Sequence, residues 1–251
     1  MDTILEVRGL NKHFGGIRAV GSFDLSVDRG EIIGLIGPNG AGKTTFFNLL
    51  TGFLKPDSGD VFLKGIKITK LKPHKIANLG MARTFQIVKP FKQMLVVENV
   101  AVACLSERAQ KKRNGGDVLS KTLECLRRVD IIPPVANMFK LSSELSHGYS
   151  KRLDIARAIA LEPEILLLDE PFGGLGLKET PIMTSVIKRL HEEGLTMIII
   201  EHKMRELGKL AQRLVVMNFG EKIAEGSPKD VSMNQRVCEA YLGKERGKFF
   251  A

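Results

Sequence analysis

The sequence predicts an α/β protein with a mixed or parallel β-sheet core, an antiparallel β subdomain and an inserted helical subdomain. Apolar runs of strand length alternate with helix-like segments in both halves of the chain, which is typical of a parallel sheet. Runs such as Ile165–Leu168 are wholly apolar, as expected of strands buried on both faces. Residues 88–150 instead show helix-like segments broken by loops, which indicates the insertion.

The first part of the chain reads mainly as strands and turns. EIIGLIG indicates a strand, TFFNLLTG a helix, and PDSG at 56–59 a turn. The remaining predictions there are strands at Ile4–Val7 and Val20–Val27, a hairpin from DVFLKG and KITK, a short helix at Lys72–Leu79, and a strand in MARTFQ at 81–86.

The second part begins with the helical insertion and returns to alternating strands and helices. Helices are expected at Val96–Glu107 and Val118–Val129, broken by the loop-like KKRNGG and by Pro133-Pro134. The later predictions are strands at ILLLD, TMIII (196–200) and RLVVM (213–217), helices at 179–193, 204–210 and 231–242, and a hairpin at 220–226. We therefore expect one domain over 1–251, with a helical subdomain at 88–150 and a basic tail at 244–251.

Residues 37–45, GPNGAGKTT, match the phosphate-loop pattern G-x-x-x-x-G-K-[ST] between the strand-like and helix-like runs that the pattern requires. Glycines at 37, 40 and 42 allow main-chain N–H groups to approach phosphate oxygens at the positive end of a helix. The alternative, a glycine-rich turn without ligand, explains neither Lys43 nor the flanks. The residues expected to hold phosphate are Gly37, Pro38, Asn39, Gly40, Ala41, Gly42, Lys43, Thr44 and Thr45.

A second candidate site follows the apolar run Ile165–Leu168. Asp169 and Glu170 come directly after it, and ligands of open α/β sheets gather at the carboxyl ends of strands. Asp169 and the Thr44 hydroxyl are oxygen ligands of the kind that Mg²⁺ prefers. Glu170 is suited to activate water as a general base. The alternative, two solvated carboxylates, is disfavoured by the phosphate loop.

The chain carries a formal net charge of +10, with clusters at Lys111–Arg113, Arg127-Arg128 and Lys151-Arg152. Such a surplus suits nucleic acid, an anionic membrane face or simple solubility. The absence of Trp and the presence of only two Tyr disfavour base stacking. We expect no nucleic-acid partner and a solvated surface at each cluster.

Cysteine usage and hydropathy indicate a reducing compartment. Cys104, Cys125 and Cys238 are scattered without C-x-x-C spacing, which predicts neither a disulfide framework nor a zinc site. No apolar run approaches the roughly 18 to 20 residues that span a bilayer, and the amino terminus lacks a secretory leader. A cytosolic protein is expected.

The segment ELSHGYSKRLDIARAIALEP, residues 144–163, resembles the signature of ABC ATPases, whose usual pattern is LSGGQ. Leu145, Ser146 and Gly148 match that pattern, while His147 and Tyr149 depart from it. The resemblance implies that Ser146 and Gly148, at a helix start, contact the γ-phosphate of ATP held by a second subunit.

Further matches follow the family's order along nearly the whole chain. Phe14 matches the aromatic that stacks on adenine, Gln86 the Q-loop glutamine and His202 the switch histidine. Taken singly, each residue has a non-functional interpretation. Phe14 could be a core aromatic, Gln86 a surface amide and His202 a polar residue at a strand end. Where many members have an aspartate after the catalytic glutamate, this chain has Gly176.

Within the family, GMARTFQIVKPFKQMLVVENV at 80–100, EPFGGL and CEAYLG at 238–243 are similar to ATPase subunits of branched-chain amino acid importers. The resemblance implies an ATPase working as a head-to-tail pair, with an identical or paralogous second ATPase subunit. Membrane permease subunits would contact the helical insertion and Gln86, near Glu98, and a solute-binding protein would act indirectly. The protein would then lie at the inner face of the cell membrane.

For the reaction, the resemblance implies ATP and Mg²⁺ as cofactors, with Thr44, Gln86 and Asp169 around the metal. Glu170, His202 and Lys43 are the expected catalytic residues. Three alternatives stay open: an importer of urea or amides, a non-transport ABC ATPase acting on nucleic acid or ribosomes, and a small-molecule kinase with a phosphate loop.

Overall fold

The computed structural model describes residues 2–131 and 135–242 of the chain. Its strands are β1 (Thr3–Phe14), β2 (Ile17–Asp28), β3 (Ile32–Ile36), β4 (Ser58–Leu63), β5 (Ile66–Lys67), β6 (Met81–Arg83), β7 (Ile165–Asp169), β8 (Thr196–Ile200), β9 (Arg213–Asn218) and β10 (Glu221–Gly226). Its α-helices are α1 (Lys43–Leu50), α2 (Pro73–Leu79), α3 (Val96–Cys104), α4 (Glu107–Arg113), α5 (Val118–Arg128), α6 (His147–Ile159), α7 (Glu179–Glu192), α8 (Met204–Gly208), α9 (Pro228–Met233) and α10 (Gln235–Leu242). Two 3₁₀ turns lie at Val135–Phe139 and Ser142–Glu144.

Of the described residues, one compact unit comprises 2–76 and 196–242. In it, β2, β1, β4 and β5 pair in that order as an antiparallel sheet. β3 pairs in parallel with both β8 and β9, and β10 is antiparallel to β9. Every residue of β3 and β8 is buried, which is why both strands are continuous apolar runs. Parallel and antiparallel pairs side by side confirm the predicted mixed sheet.

The other compact unit comprises residues 77–195. β6 and β7 pair in parallel, and β7 is buried along its whole length. Helix α3 packs against α5, and both also contact α6. Cys104 and Cys125 are fully buried free thiols of α3 and α5. The Thr122 hydroxyl donates to Cys104 Sγ at 3.6 Å.

Element boundaries differ from the sequence prediction at several places. The hairpin predicted at 220–226 is the single strand β10, which pairs with β9. The helix predicted over Val96–Glu107 ends at Cys104, because Ser106 caps a new helix by accepting the Ala109 N–H. KKR, predicted as loop, is the last turn of α4. The strand predicted in MARTFQ ends at Arg83. The predicted closing helix is two helices, since Asn234 between them is extended.

Two predicted features, Pro133-Pro134 and the basic tail 244–251, lie outside the described residues. Across residues 2–131 and 135–242, the structure contains no helix with the length and apolarity needed to cross a bilayer.

Candidate active site

The phosphate loop connects β3 to α1, and its glycines are required by close packing. A Cβ on Gly37 would lie 2.0 Å from the Met217 carbonyl oxygen. At Gly42, where φ is +103°, a Cβ would lie 2.1 Å from the Ala19 carbonyl oxygen. Only glycine fits such positions. The loop conformation is therefore fixed by its own unit.

Lys43 is the first residue of α1 and its side chain is buried against the loop. Its Nζ donates to the carbonyl oxygens of Gly37 at 2.6 Å and Pro38 at 2.9 Å. Gly42 caps the helix without a side-chain hydrogen bond, so no side chain of the N-cap competes with an anion for the first-turn N–H groups. Thr44 is exposed and Thr45 half-buried. The loop thus offers an ammonium group, a hydroxyl and a positive helix end.

Phe14 and His202 belong to the same unit as the phosphate loop. Phe14 ends β1 with 47% of its surface exposed, and Lys12 Nζ lies 5.6 Å from its ring centroid. His202 follows β8 and is exposed. Its main-chain N–H donates to Glu201 Oε2 at 2.6 Å, and Glu201 is buried. The Glu201 carboxylate therefore fixes the backbone at His202.

Asp169 ends β7 in the other unit, where its side chain is 2% exposed. Its Oδ2 accepts a hydrogen bond from Arg83 Nη2 at 2.7 Å. Its main-chain N–H donates to the Thr84 hydroxyl at 3.3 Å. Within the described part of the chain, Oδ1 is buried without a hydrogen-bond partner. A buried carboxylate oxygen without a hydrogen-bond donor is available to bind a metal ion.

Glu170 lies next in the chain, in the left-handed backbone region with φ of +49°. Its Oε2 accepts a hydrogen bond from Gln86 Nε2 at 3.1 Å. The structure therefore brings Gln86 and Glu170 into contact, as expected of a shared site. Because the amide nitrogen is the donor, the Gln86 amide oxygen is left for another ligand.

Lys151 is a site residue that sequence reasoning missed. Its buried ammonium donates to the carbonyl oxygens of Gln86 at 3.1 Å and Glu170 at 2.9 Å. The prediction that Lys151-Arg152 forms a solvated cluster is wrong, since the two are 5% and 7% exposed. Their position inside the signature helix was the available signal. The two carbonyl acceptors compensate the Lys151 ammonium for the water that it loses on burial.

Arg152 and Asp154 also tie α6 to its neighbours. The Arg152 guanidinium lies 4.3 Å from the Tyr149 ring centroid and donates to the Val129 and Asp130 carbonyl oxygens. Asp154 Oδ2 accepts the Phe85 N–H at 3.1 Å. Burial raises the pKa of the Asp154 carboxyl, although this hydrogen bond opposes the shift.

Ser146 caps α6, and its hydroxyl accepts the Tyr149 N–H at 3.5 Å. Gly148, in the first turn, is buried.

The predicted site residues divide between the two units. Phe14, residues 37–45 and His202 lie in one unit, and Gln86, Ser146, Gly148, Asp169 and Glu170 lie in the other.

Comparison with known families agrees with these features. A family model described as ABC transporter matches residues 20–173. A second model, described as branched-chain amino acid ATP-binding cassette transporter, matches residues 221–246.

Among curated proteins, the chain is similar to the high-affinity branched-chain amino acid transport ATP-binding protein BraF of Pseudomonas aeruginosa, with 39% identity over 96% of this chain and 98% of the relative. It is also similar to the corresponding protein LivG of Escherichia coli K12, with 38% identity over the same shares.

Solved structures show the same similarity. The ADP conformation of an ATP-binding cassette of an ABC transporter superposes with a TM-score of 0.83 at 30% identity, covering 97% of this chain and all of that chain. The dimeric structure of a bacterial ABC transporter cassette superposes with a TM-score of 0.79 at 25% identity, covering 90% of this chain and 99% of that chain.

Proposed function

Because the chain belongs to the ABC transporter family of ATP-binding cassettes, we propose that it powers an importer of branched-chain amino acids. Family membership makes it an ATP-binding subunit that hydrolyses ATP. The observation that carries the choice of solute is the match of residues 221–246 to the model of that subfamily. The full-length relatives BraF and LivG support it and do not favour the urea, nucleic-acid or ribosome alternatives.

In this proposal the phosphate loop holds the ATP phosphates. The main-chain N–H groups of residues 39–45 and the Lys43 ammonium bind phosphate oxygens. Since Lys43 Nζ contacts two loop carbonyls, it is held beside these N–H groups. Phe14, half exposed at the end of β1, stacks on the adenine.

The residues present fit a magnesium ion by the chemistry of their oxygens. Thr44 supplies a hydroxyl, Gln86 an amide oxygen and Asp169 a buried carboxylate oxygen without a hydrogen bond among the described residues. When bound, the ion neutralises charge that develops on the phosphates. Arg83 keeps the other oxygen of Asp169 in place.

Hydrolysis depends on Glu170 and His202. Glu170 accepts a proton from the attacking water as general base. The Gln86 side chain donates to Glu170 Oε2 and thereby orients the carboxylate. His202, held through the Glu201 carboxylate, stabilises charge at the γ-phosphate.

The working assembly in this proposal is a pair of cassettes with a membrane permease at the cytoplasmic face of the cell membrane. Ser146 and Gly148 of one copy face the γ-phosphate of ATP bound to the other, which closes the pair until hydrolysis reopens it. The chain acts as one cassette, and its helical residues 88–150 pass the motion to the permease. A solute-binding protein delivers the amino acid.

Uptake in cells tests this function. In a host strain without endogenous branched-chain amino acid importers, we expect the chain with its permease and binding protein to restore uptake of labelled leucine and leave urea uptake unchanged. Glu170→Gln should abolish the uptake, because loss of a general base slows a reaction roughly 10²–10⁴-fold. Equal leucine uptake with Glu170→Gln would refute the assigned base, and urea uptake would refute the solute.

A further inference from the structure

One of the two positions at which this chain departs from the family signature makes a contact with the segment after Glu170. His147 is the first residue of α6, and its Nε2 lies 3.0 Å from the Gly173 carbonyl oxygen. A carbonyl only accepts hydrogen bonds, so the ring nitrogen carries the hydrogen and donates. Gly173 lies three residues after Glu170. The bond therefore joins the signature to the segment that follows the proposed catalytic base.

Two glycines allow close packing around the first turn of α6. Gly174 has a φ of +73°, and a Cβ there would lie 2.8 Å from His147 Nε2. A Cβ on Gly148 would lie 2.1 Å from Glu179 Oε1. The first turn of α6 is thus packed against Gly174 and against Glu179, the first residue of α7. We call residues 172–177, which precede α7, the 172–177 loop.

The loop is also bonded to the residue that carries the base. The Gly173 N–H donates to the Glu170 carbonyl oxygen at 3.0 Å, and the Leu175 N–H donates to the Phe172 carbonyl oxygen at 3.2 Å. Lys151 donates to the same Glu170 oxygen. A continuous set of hydrogen bonds therefore runs from His147 through Gly173 to Glu170, all within one unit of the chain.

We propose that His147 is a positioning residue that fixes the 172–177 loop to the signature, so that Ser146 and the backbone of Glu170 move together. The inference rests on the proposed function, in which Ser146 faces the ATP bound to a second copy and Glu170 acts on the ATP bound to the same copy as itself. Engagement of Ser146 then adjusts Glu170 through the ring of His147. This route needs no side chain at position 176, where the chain has glycine.

Two substitutions separate the hydrogen bond from the bulk of the ring. His147→Gln keeps an N–H donor at similar reach, whereas His147→Leu keeps volume and removes the donor. His74→Leu, at an exposed histidine of α2, is the control. Hydrogen exchange of a peptide covering residues 171–177 is measured without nucleotide, and kcat and KM for ATP are measured on the same proteins.

Since one neutral hydrogen bond contributes a modest net stability, we expect His147→Leu to speed exchange of the Gly173 and Leu175 amides roughly three- to tenfold. Its kcat should fall by a similar factor while KM stays within about twofold. His147→Gln should restore both quantities, and His74→Leu should change neither.

Equal exchange in all four proteins would overturn the contact, and faster exchange with unchanged kcat would overturn its role in hydrolysis. Failure of the proposed function looks different. In that case the unaltered protein with its permease and binding protein takes up no leucine, or Glu170→Gln leaves the uptake unchanged, while exchange without nucleotide still decides whether His147 holds the loop.

Discussion

At the scale of single residues, the pair formed by Arg83 and Asp169 stands out because both side chains are almost fully buried, at 4% and 2% exposure. Two charges removed from water need each other, since either one alone is left uncompensated in a medium that solvates charge poorly. Asp169 Oδ2 is occupied by Arg83, and Oδ1 is the oxygen that we propose faces the metal. Arg83 thus orients the carboxylate without blocking it.

Removing the Arg83 charge should therefore destabilise the protein strongly. Arg83→Met is expected to lower the free energy of unfolding by about 3–5 kcal/mol, because it leaves the Asp169 carboxylate buried and unpaired. The double variant Arg83→Met with Asp169→Asn should recover much of that loss, since no charge then remains. Urea unfolding without nucleotide measures both.

The control is Arg83→Lys, which keeps the charge and should cost less than Arg83→Met. The account of Asp169 is wrong if Arg83→Met alone costs less than about 1 kcal/mol. It is equally wrong if the second substitution gives no recovery.

At the scale of elements, α6 organises the unit formed by residues 77–195. Ser146 lies at its amino end, Lys151 donates to the carbonyls of Gln86 and Glu170, and Asp154 accepts the N–H of Phe85. One helix thus holds the signature, the backbone of the Q-loop residue and that of the proposed base. A substitution that disturbs α6 should therefore affect the signature, the backbone of Gln86 and the backbone of Glu170.

Lys151→Met tests this arrangement, because it leaves the carbonyl oxygens of Gln86 and Glu170 without their ammonium donor. We expect a loss of stability of about 1–3 kcal/mol and a fall in kcat, with ATP binding to the phosphate loop retained. Thermal unfolding, steady-state ATPase assays and nucleotide titration measure the three quantities.

The matched control is Lys188→Met, at an exposed lysine of α7, which should change stability by less than about 0.5 kcal/mol. If both lysine variants behave alike, the ammonium of Lys151 does not organise the site.

Sequence patterns predicted the elements better than their ends. β3, β7 and β8 were recognisable because strands buried on both faces are continuous apolar runs. The break between α3 and α4 could not be recognised in this way. It depends on the Ser106 cap, and the sequence on both sides of Ser106 is compatible with a continuous helix. The short strand β6 ends at Arg83, although the Thr84 N–H still donates to the Leu167 carbonyl oxygen of β7. The chain then bonds to α6 through the Phe85 N–H.

The candidate site was also only partly predictable from the sequence. Motifs with fixed spacing predicted a site at residues 37–45, Asp169 and Glu170, because phosphate and metal chemistry demand those residue types. Arg83 lies in no motif, and Lys151 lies in the signature segment at a position that the motif does not mark as buried. Their importance comes from tertiary burial beside a carboxylate and beside two carbonyls, which spacing along the chain does not reveal.

At the scale of the whole molecule, we propose that two copies of the chain enclose ATP. The phosphate loop offers a positive helix end and Lys43, and Ser146 begins a second helix with its own positive end. Both helix ends favour an anion. A triphosphate between two copies would satisfy both.

The most direct measurement is the mass in solution of the Glu170→Gln variant by sedimentation velocity, with Mg²⁺ and ATP or with Mg²⁺ and ADP. The account predicts a species of twice the 27.7 kDa chain mass with ATP and a single chain with ADP. Adding Lys43→Ala should abolish the pair by weakening ATP binding, and adding Ser146→Glu should abolish it by repelling the γ-phosphate. A single chain with saturating ATP, or a pair that persists with Ser146→Glu, would contradict the account.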